Sequence, residues 1–216
     1  MTSSKAAPEP SSEASAERLY GGLTSTARKA QRRDRLTAAA FHLFGTKGFG
    51  DTTIEALCAE AAVGIRAFYE EFGSRDALFT AVYFQIADEA FARLQQNLFT
   101  TSSATLFERF ESALSVYFHF LLDDPRRAQI MSVDTPRGDM ELAAKRIDSV
   151  DRFAKLAEAA IAGQRQQHDG DLALWSTFMI GGVRSMVIHW MNSSPRPSVD
   201  ELASEAARFL YRSLGG

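Results

Sequence analysis

Apolar side chains recur along most of this chain at helical spacing. Leu36, Ala39, Ala40, Leu43 and Phe44 form one stripe at i, i+3, i+4, i+7 and i+8. The stripe predicts a helix over Ser25–Lys47, with Gly48 as its stop. Two very short helical segments follow. Thr52-Thr53-Ile54-Glu55 has capping-box form, with Thr52 at the cap and Glu55 three residues on. Ile65–Phe72 is the second, closed by Gly73, and Ser74 can cap the next helix. Longer helices are expected over Asp76–Phe99 and Thr105–Asp123. Pro125 ends the second of these and starts a short one through Met131. Asp139–Ala162 is charge-laced on one side, and Leu172–Met191 is apolar nearly all round. Ser198 caps a last helix, Val199–Leu214. No useful stretch alternates with period two. The expected fold is all-α, with about nine helices.

The ends and the apolar segment need separate readings. Residues 1–24 are rich in Ser, Ala, Pro and Glu and predict a disordered tail without an apolar targeting core. Leu172–Met191 is long enough to span a bilayer, but Arg184 would sit near its centre at high cost. A buried or interface helix is the expected outcome, and no membrane contact.

Composition sharpens the picture once it is divided by region. The 216 residues carry a net charge of -3. The tail holds -1, residues 25–76 hold +1 from eight basic and seven acidic groups, and residues 77–216 hold -3. Within Arg28–Arg35 the net charge is +4, opposed only by Asp34. A whole-chain acidic balance therefore hides a local basic patch, the arrangement that matters for phosphate contact. The single cysteine, Cys58, excludes an internal disulfide, and a reduced, cytoplasmic setting follows. It reads as a small core residue rather than a redox sensor.

Two short helices joined by a tight turn form a helix-turn-helix. A helix this short buries little alone, but it can enter a major groove about 12 Å wide. The expected partner is double-stranded DNA, with Arg28, Arg32 and Arg33 reaching its backbone. The spaced pattern Arg35-Leu36, Ala39-Ala40, Leu43-Phe44, Gly48-Phe49, Thr52-Thr53-Ile54, Leu57-Cys58, Ala61-Ala62-Val63, Phe68-Tyr69, Phe72, Ser74-Arg75-Asp76 and Leu78 resembles the N-terminal domain of TetR-type transcriptional regulators.

That resemblance implies particular roles. Thr52 and Thr53 would bond a phosphate, as would the Tyr69 hydroxyl and Arg75. Gly64, Ile65, Arg66 and Ala67 would open the recognition helix, with Arg66 and Ala67 on its groove face. Phe72 and Leu78 would lock the motif onto the first long helix. The chain departs from the usual pattern in three places. Gly64 stands where a Ser or Thr commonly caps, and Ile65 stands where a polar residue is common. Glu70 and Glu71 bring two carboxylates near the DNA backbone. Apart from the resemblance, Tyr69 reads equally as a core-edge aromatic, and Arg66 as a solvated cation.

The resemblance also implies that residues 77–216 carry effector binding and dimerisation. Two apolar helices, Leu172–Met191 and Val199–Leu214, would pair with those of a second copy as a four-helix bundle. Phe84, Phe118, Met131, Trp175, Phe178 and Met179 are candidates to line a pocket for an unknown apolar or aromatic small molecule. His119 and His189 could anchor a polar ligand atom or be hydrogen-bonded core residues. No metal-ligand spacing, nucleophile elbow or cofactor motif is present, so no catalytic, metal or cofactor site is expected. A helical small-molecule carrier is the competing class; it needs a pocket but not the basic patch. Ligand binding is expected to move the fourth helix, change the spacing of two recognition helices and relieve repression, although activation is an open alternative.

Overall fold

The computed structural model describes residues 25–101, 104–133, 140–161 and 171–214. The expected tail at 1–24 and the expected loops at 135–138 and 163–170 lie outside the described residues. Within them every regular element is helical: α1 Ser25–Lys47, α2 Ile54–Ala61, α3 Ile65–Phe72, α4 Arg75–Thr100, α5 Leu106–Leu122, α6 Pro125–Ala128, α7 Met140–Ile161, α8 Leu172–Asn192 and α9 Val199–Ser213. A π-helical turn, Gln129–Val133, extends α6.

Local chemistry accounts for most of the boundaries. Thr105 caps α5 and Ser198 caps α9, each in a capping box with the glutamate three residues on, Glu108 or Glu201. The hydrogen bonds to Thr105 and Ser198 hold both carboxyls below the usual carboxylate range. Asp124 caps α6 with Pro125 at the first helical position, and Asp171 caps α8. At α2 the cap differs from the expected one. Thr53, not Thr52, accepts the hydrogen bond from the Ala56 amide. The capping box expected on Thr52 is therefore absent.

The three head helices close around Leu36, Ala40, Phe44, Leu57 and Phe68, all buried. Leu78 and Phe79, from the first turns of α4, complete this core. The Phe79 ring stands edge-on to Phe44 at 5.3 Å and to Phe49 at 5.1 Å between centroids. Edge-to-face packing of this kind adds specific stability to the buried area. The expected head–body boundary at residues 76/77 thus falls in the first turn of a continuous helix that serves both parts.

In the body α5 packs along α9, and α7 along α8. His119 on α5 bridges Asp123 and, across to the start of α9, Asp200 at 3.0 Å. Those two carboxylates raise the imidazole above its ordinary pKa, Asp200 most strongly. His119 is therefore a helix-to-helix tie and not a ligand anchor. A second head–body junction lies at α6. Gly45 of α1 meets Arg126 so closely that a Cβ there would stand 2.4 Å from the Arg126 Cβ. Only glycine lets these two helices approach this far. Among the described residues no helix is long and apolar enough to cross a membrane.

Candidate nucleic-acid interface and cavity

The turn between α2 and α3 is three residues long. Ala62 takes the left-handed conformation with φ of 50° and closes α2, its amide returning to Ala59 and Cys58. Val63 is buried and anchors the turn in the core. Gly64 caps α3 with φ of -69° and ψ of 150°, and no side chain satisfies the first amides of that helix. A Cβ at Gly64 would meet nothing within 4 Å. Gly64→Ser is expected to stabilise the protein by roughly 0.5–1 kcal/mol, through a new cap and a less flexible unfolded chain. The urea midpoint should rise; an unchanged or lower midpoint would contradict the cap geometry.

On α3, Phe68 is wholly buried and faces the core. Ile65, Arg66 and Tyr69 lie on the outer side, with Ile65 48% and Tyr69 52% exposed. Arg66 projects into solvent and makes an i,i+4 pair with Glu70 at 2.9 Å. The outer face therefore offers an apolar side chain, a guanidinium and a phenol in one row.

Several residues expected to touch DNA are committed elsewhere. Thr52 is fully buried, and its hydroxyl donates to the Gly48 carbonyl at 2.7 Å. It braces the loop between α1 and α2 and has no hydroxyl left for a phosphate. Arg75 donates to the Thr52 carbonyl at 2.6 Å and lies 4.1 Å above the Phe49 ring. It locks the same loop onto α4. Ala67 is half-buried against the core rather than on the groove face. Arg32 bonds the Glu71 carboxylate through Nε and Nη2, the latter at 2.9 Å. Arg33 donates to the Glu71 backbone carbonyl and covers the Phe72 ring at 4.3 Å. Glu71 is turned inward, with a side chain only 1% exposed. The carboxylate expected to repel DNA instead ties α3 to α1. Thr53 remains exposed at the start of α2, Lys29 and Arg35 are exposed on α1, and Arg28 is half-buried.

A cavity of about 190 Å³ lies in the body between α4, α5, α7 and α8. Its wall is largely apolar, including Leu94, Phe110, Leu114 and Phe153. Of the six residues expected to line it, Met131 and Met179 do so. The other four are corrections. Phe118 is wholly buried in the α5 core, and Phe84 packs on the Tyr83 ring. Trp175 donates its indole N–H to Ser213. Phe178 is 79% exposed on the outside of α8. What the sequence reading missed is polar: Tyr83, Tyr117, Arg109, Arg146 and Arg184. Burial pushes the Tyr117 phenol up, keeping it neutral. Arg184 donates to the Ser132 carbonyl, joining α8 to the π-helical turn. The signal available in advance was Arg184 itself, a lone cation in an otherwise apolar helix.

A tightly braced helix-turn-helix with an outward α3 thus stands on a helical body that holds a cavity. Residues 36–82 match the family model described as bacterial regulatory proteins, tetR family. That match covers the three head helices and the first turns of α4, so the head is similar to the DNA-binding part of that family. The body supports the fold. The fatty acid degradation regulator FadR from Bacillus halodurans superposes with a TM-score of 0.72 at 14% identity, covering 86% of this chain and 95% of that one. FadR from Bacillus subtilis, solved in complex with stearoyl-CoA, gives 0.72 at 15% identity, covering 82% and 96%. A TetR-like regulator from Rhodococcus sp. RHA1 gives 0.63 at 20% identity, covering 90% and 99%. No curated protein matches the chain.

Proposed function

We propose that the protein is a homodimeric repressor that leaves a palindromic operator when a small, mainly apolar effector enters the body cavity. The observation that carries this reading is the double role of α4. Its first turns hold Phe79 in the head core and Arg75 on the Thr52 loop. One turn further on, Tyr83 lines the cavity. A ligand that displaces the α4 wall therefore acts on the head directly. The π-helical turn gives a second link, because Met131 and Ser132 line the cavity while α6 rests on Gly45 of α1. The Bacillus subtilis FadR, which shares this fold, was solved in complex with stearoyl-CoA, a long amphipathic molecule, and that supports the reading.

Ile65, Arg66 and Tyr69 would enter the major groove, with Thr53, Arg28 and Lys29 against phosphates. The dimer would form through α8 and α9, where Leu174, Phe178 and Phe209 are 69%, 79% and 68% exposed. Such apolar area is costly to leave in water and matches a symmetric interface. Two recognition helices roughly 34 Å apart would then meet successive major grooves. The test is a gel shift on DNA from upstream of the gene. Arg66→Ala should weaken binding by about 1–3 kcal/mol, the worth of one base contact. Tyr69→Phe should weaken it with little change in sequence preference. An unmodified protein that binds no upstream fragment at modest salt would favour a helical carrier instead.

A further inference from the structure

We propose that the cavity selects an amphipathic anion: an unbranched apolar chain of about eight carbons ending in an anionic head that Arg109 anchors. This deepens the reading of the cavity as the effector site and rests on it.

Among the described residues, the charged ones lining the cavity are Arg109, Arg146 and Arg184, with no aspartate or glutamate. A cation beside apolar walls is expensive unless an anion or good acceptors balance it. Two of the three have partners within the protein. Arg184 donates to the Ser132 carbonyl at 2.8 Å. Arg146 lies over the Tyr83 ring at 5.3 Å. Arg109 differs, because its Nε is buried and has no hydrogen-bond partner among the described residues. A planar guanidinium with an open N–H suits a carboxylate or phosphate oxygen. Arg109 therefore marks the head-group end, beside Asn97 and Thr101.

The rest of the wall describes the tail. Leu94, Leu98, Phe110, Ala113, Leu114 and Phe153 line the cavity without a polar atom in their side chains. Tyr83 is 7% exposed and lines the far end with Tyr117. Along α5, Arg109 and Tyr117 are eight residues apart, about 12 Å at 1.5 Å per residue. A cavity of about 150 Å³ takes a six-carbon ring. At about 190 Å³ this one takes roughly eight carbons on the same scale. The chemistry is shared by a free fatty carboxylate and by an acyl thioester of a phosphate-bearing carrier.

The full-length protein should be titrated by calorimetry with octanoate, octanoyl-CoA, 1-octanol and hexadecanoate. Octanoate or octanoyl-CoA should bind at least tenfold tighter than octanol, and whichever of the two binds tighter identifies the source. Hexadecanoate should bind more weakly than octanoate. Arg109→Met should remove the preference for the anion without loss of octanol binding, and Arg109→Lys should retain part of it. If Arg109→Met does not fold, the wild-type contrast and the lysine variant decide. Octanol binding as tightly as both anions, or an Arg109→Met protein that keeps the preference, would overturn the anion proposal and leave the effector cavity standing. Hexadecanoate binding tighter than octanoate would overturn the size. If none of the four ligands binds, the effector-site reading fails with it.

Discussion

Phe79→Ala is expected to destabilise the protein by about 3–5 kcal/mol, the range for removing a wholly buried aromatic ring. Phe79 is fully buried and meets Phe44 and Phe49 edge-on. The substitution leaves a void between α1, α4 and the loop that Arg75 and Thr52 brace. Few routes exist to collapse it, because Phe44 belongs to a long helix and Phe49 already lies under the Arg75 guanidinium. Against a total stability of roughly 5–15 kcal/mol, this is a large fraction. Urea unfolding should show a markedly lower midpoint. The same variant should lose operator binding at temperatures where it is still folded, because α4 would no longer be seated on the head. A midpoint shift below about 1 kcal/mol would mean that this junction is not tightly packed.

The second large effect is expected at Arg32. Arg32→Ala strips the Glu71 carboxylate of its two charge-assisted hydrogen bonds while leaving it almost wholly buried. Its other oxygen, Oε2, already has no partner among the described residues. Removing one member of a fully buried pair costs about 3–5 kcal/mol. Arg32 is a third exposed, so water can reach the vacated site, and the expected loss is about 2–3 kcal/mol. Glu71→Gln in the Arg32→Ala background should recover most of it, because a neutral amide is cheaper to bury. A double-mutant cycle in urea checks this. The cycle also separates two roles for Arg32. If it mainly contacts phosphate, Arg32→Ala would leave stability intact and reduce the salt dependence of DNA binding by about one ion. Rescue of stability by Glu71→Gln would show the tie between α1 and α3 as the dominant role.

The two variants probe the parts of the head that were least visible in the sequence. The stripe Leu36 to Phe44 gave α1 its buried face correctly, and Gly48 and Gly73 marked the stops of the helices they follow. The short pair was legible because its apolar positions are few and its turn is bounded by Ala62 and Gly64. The fate of each polar side chain was not. Arg75 looked like a cation at a helix start, free to meet phosphate. It points instead across the loop, because Phe49 supplies a ring face and Thr52 a carbonyl within its reach. Neither neighbour is close to Arg75 in sequence. Glu71 likewise reads as an exposed acidic residue until α1 is folded against α3.

The cavity shows the same division. Helix α8 is apolar around most of its circumference, so periodicity gives it no phase. Phe178 and Met179 are adjacent and equally apolar, yet one faces out and the other lines the cavity. Roughly 100° of rotation per residue separates them, and only the packing of α7 and the π-helical turn chooses the side. Arg109 sits in the capped first turns of α5 between Glu108 and Phe110, where local sequence suggests a solvated cation.

The sequence by itself determined the helices, their caps and stops, the helix-turn-helix and the regional charge, because these depend on neighbours within about one helical turn. The tertiary structure decided which cations are tied into the head, which apolar faces meet each other and which guanidinium keeps an unpartnered N–H among the described residues. Those outcomes depend on contacts between residues 20 to 90 positions apart, where a side chain takes whichever acceptor, ring or void the fold brings within a few ångströms.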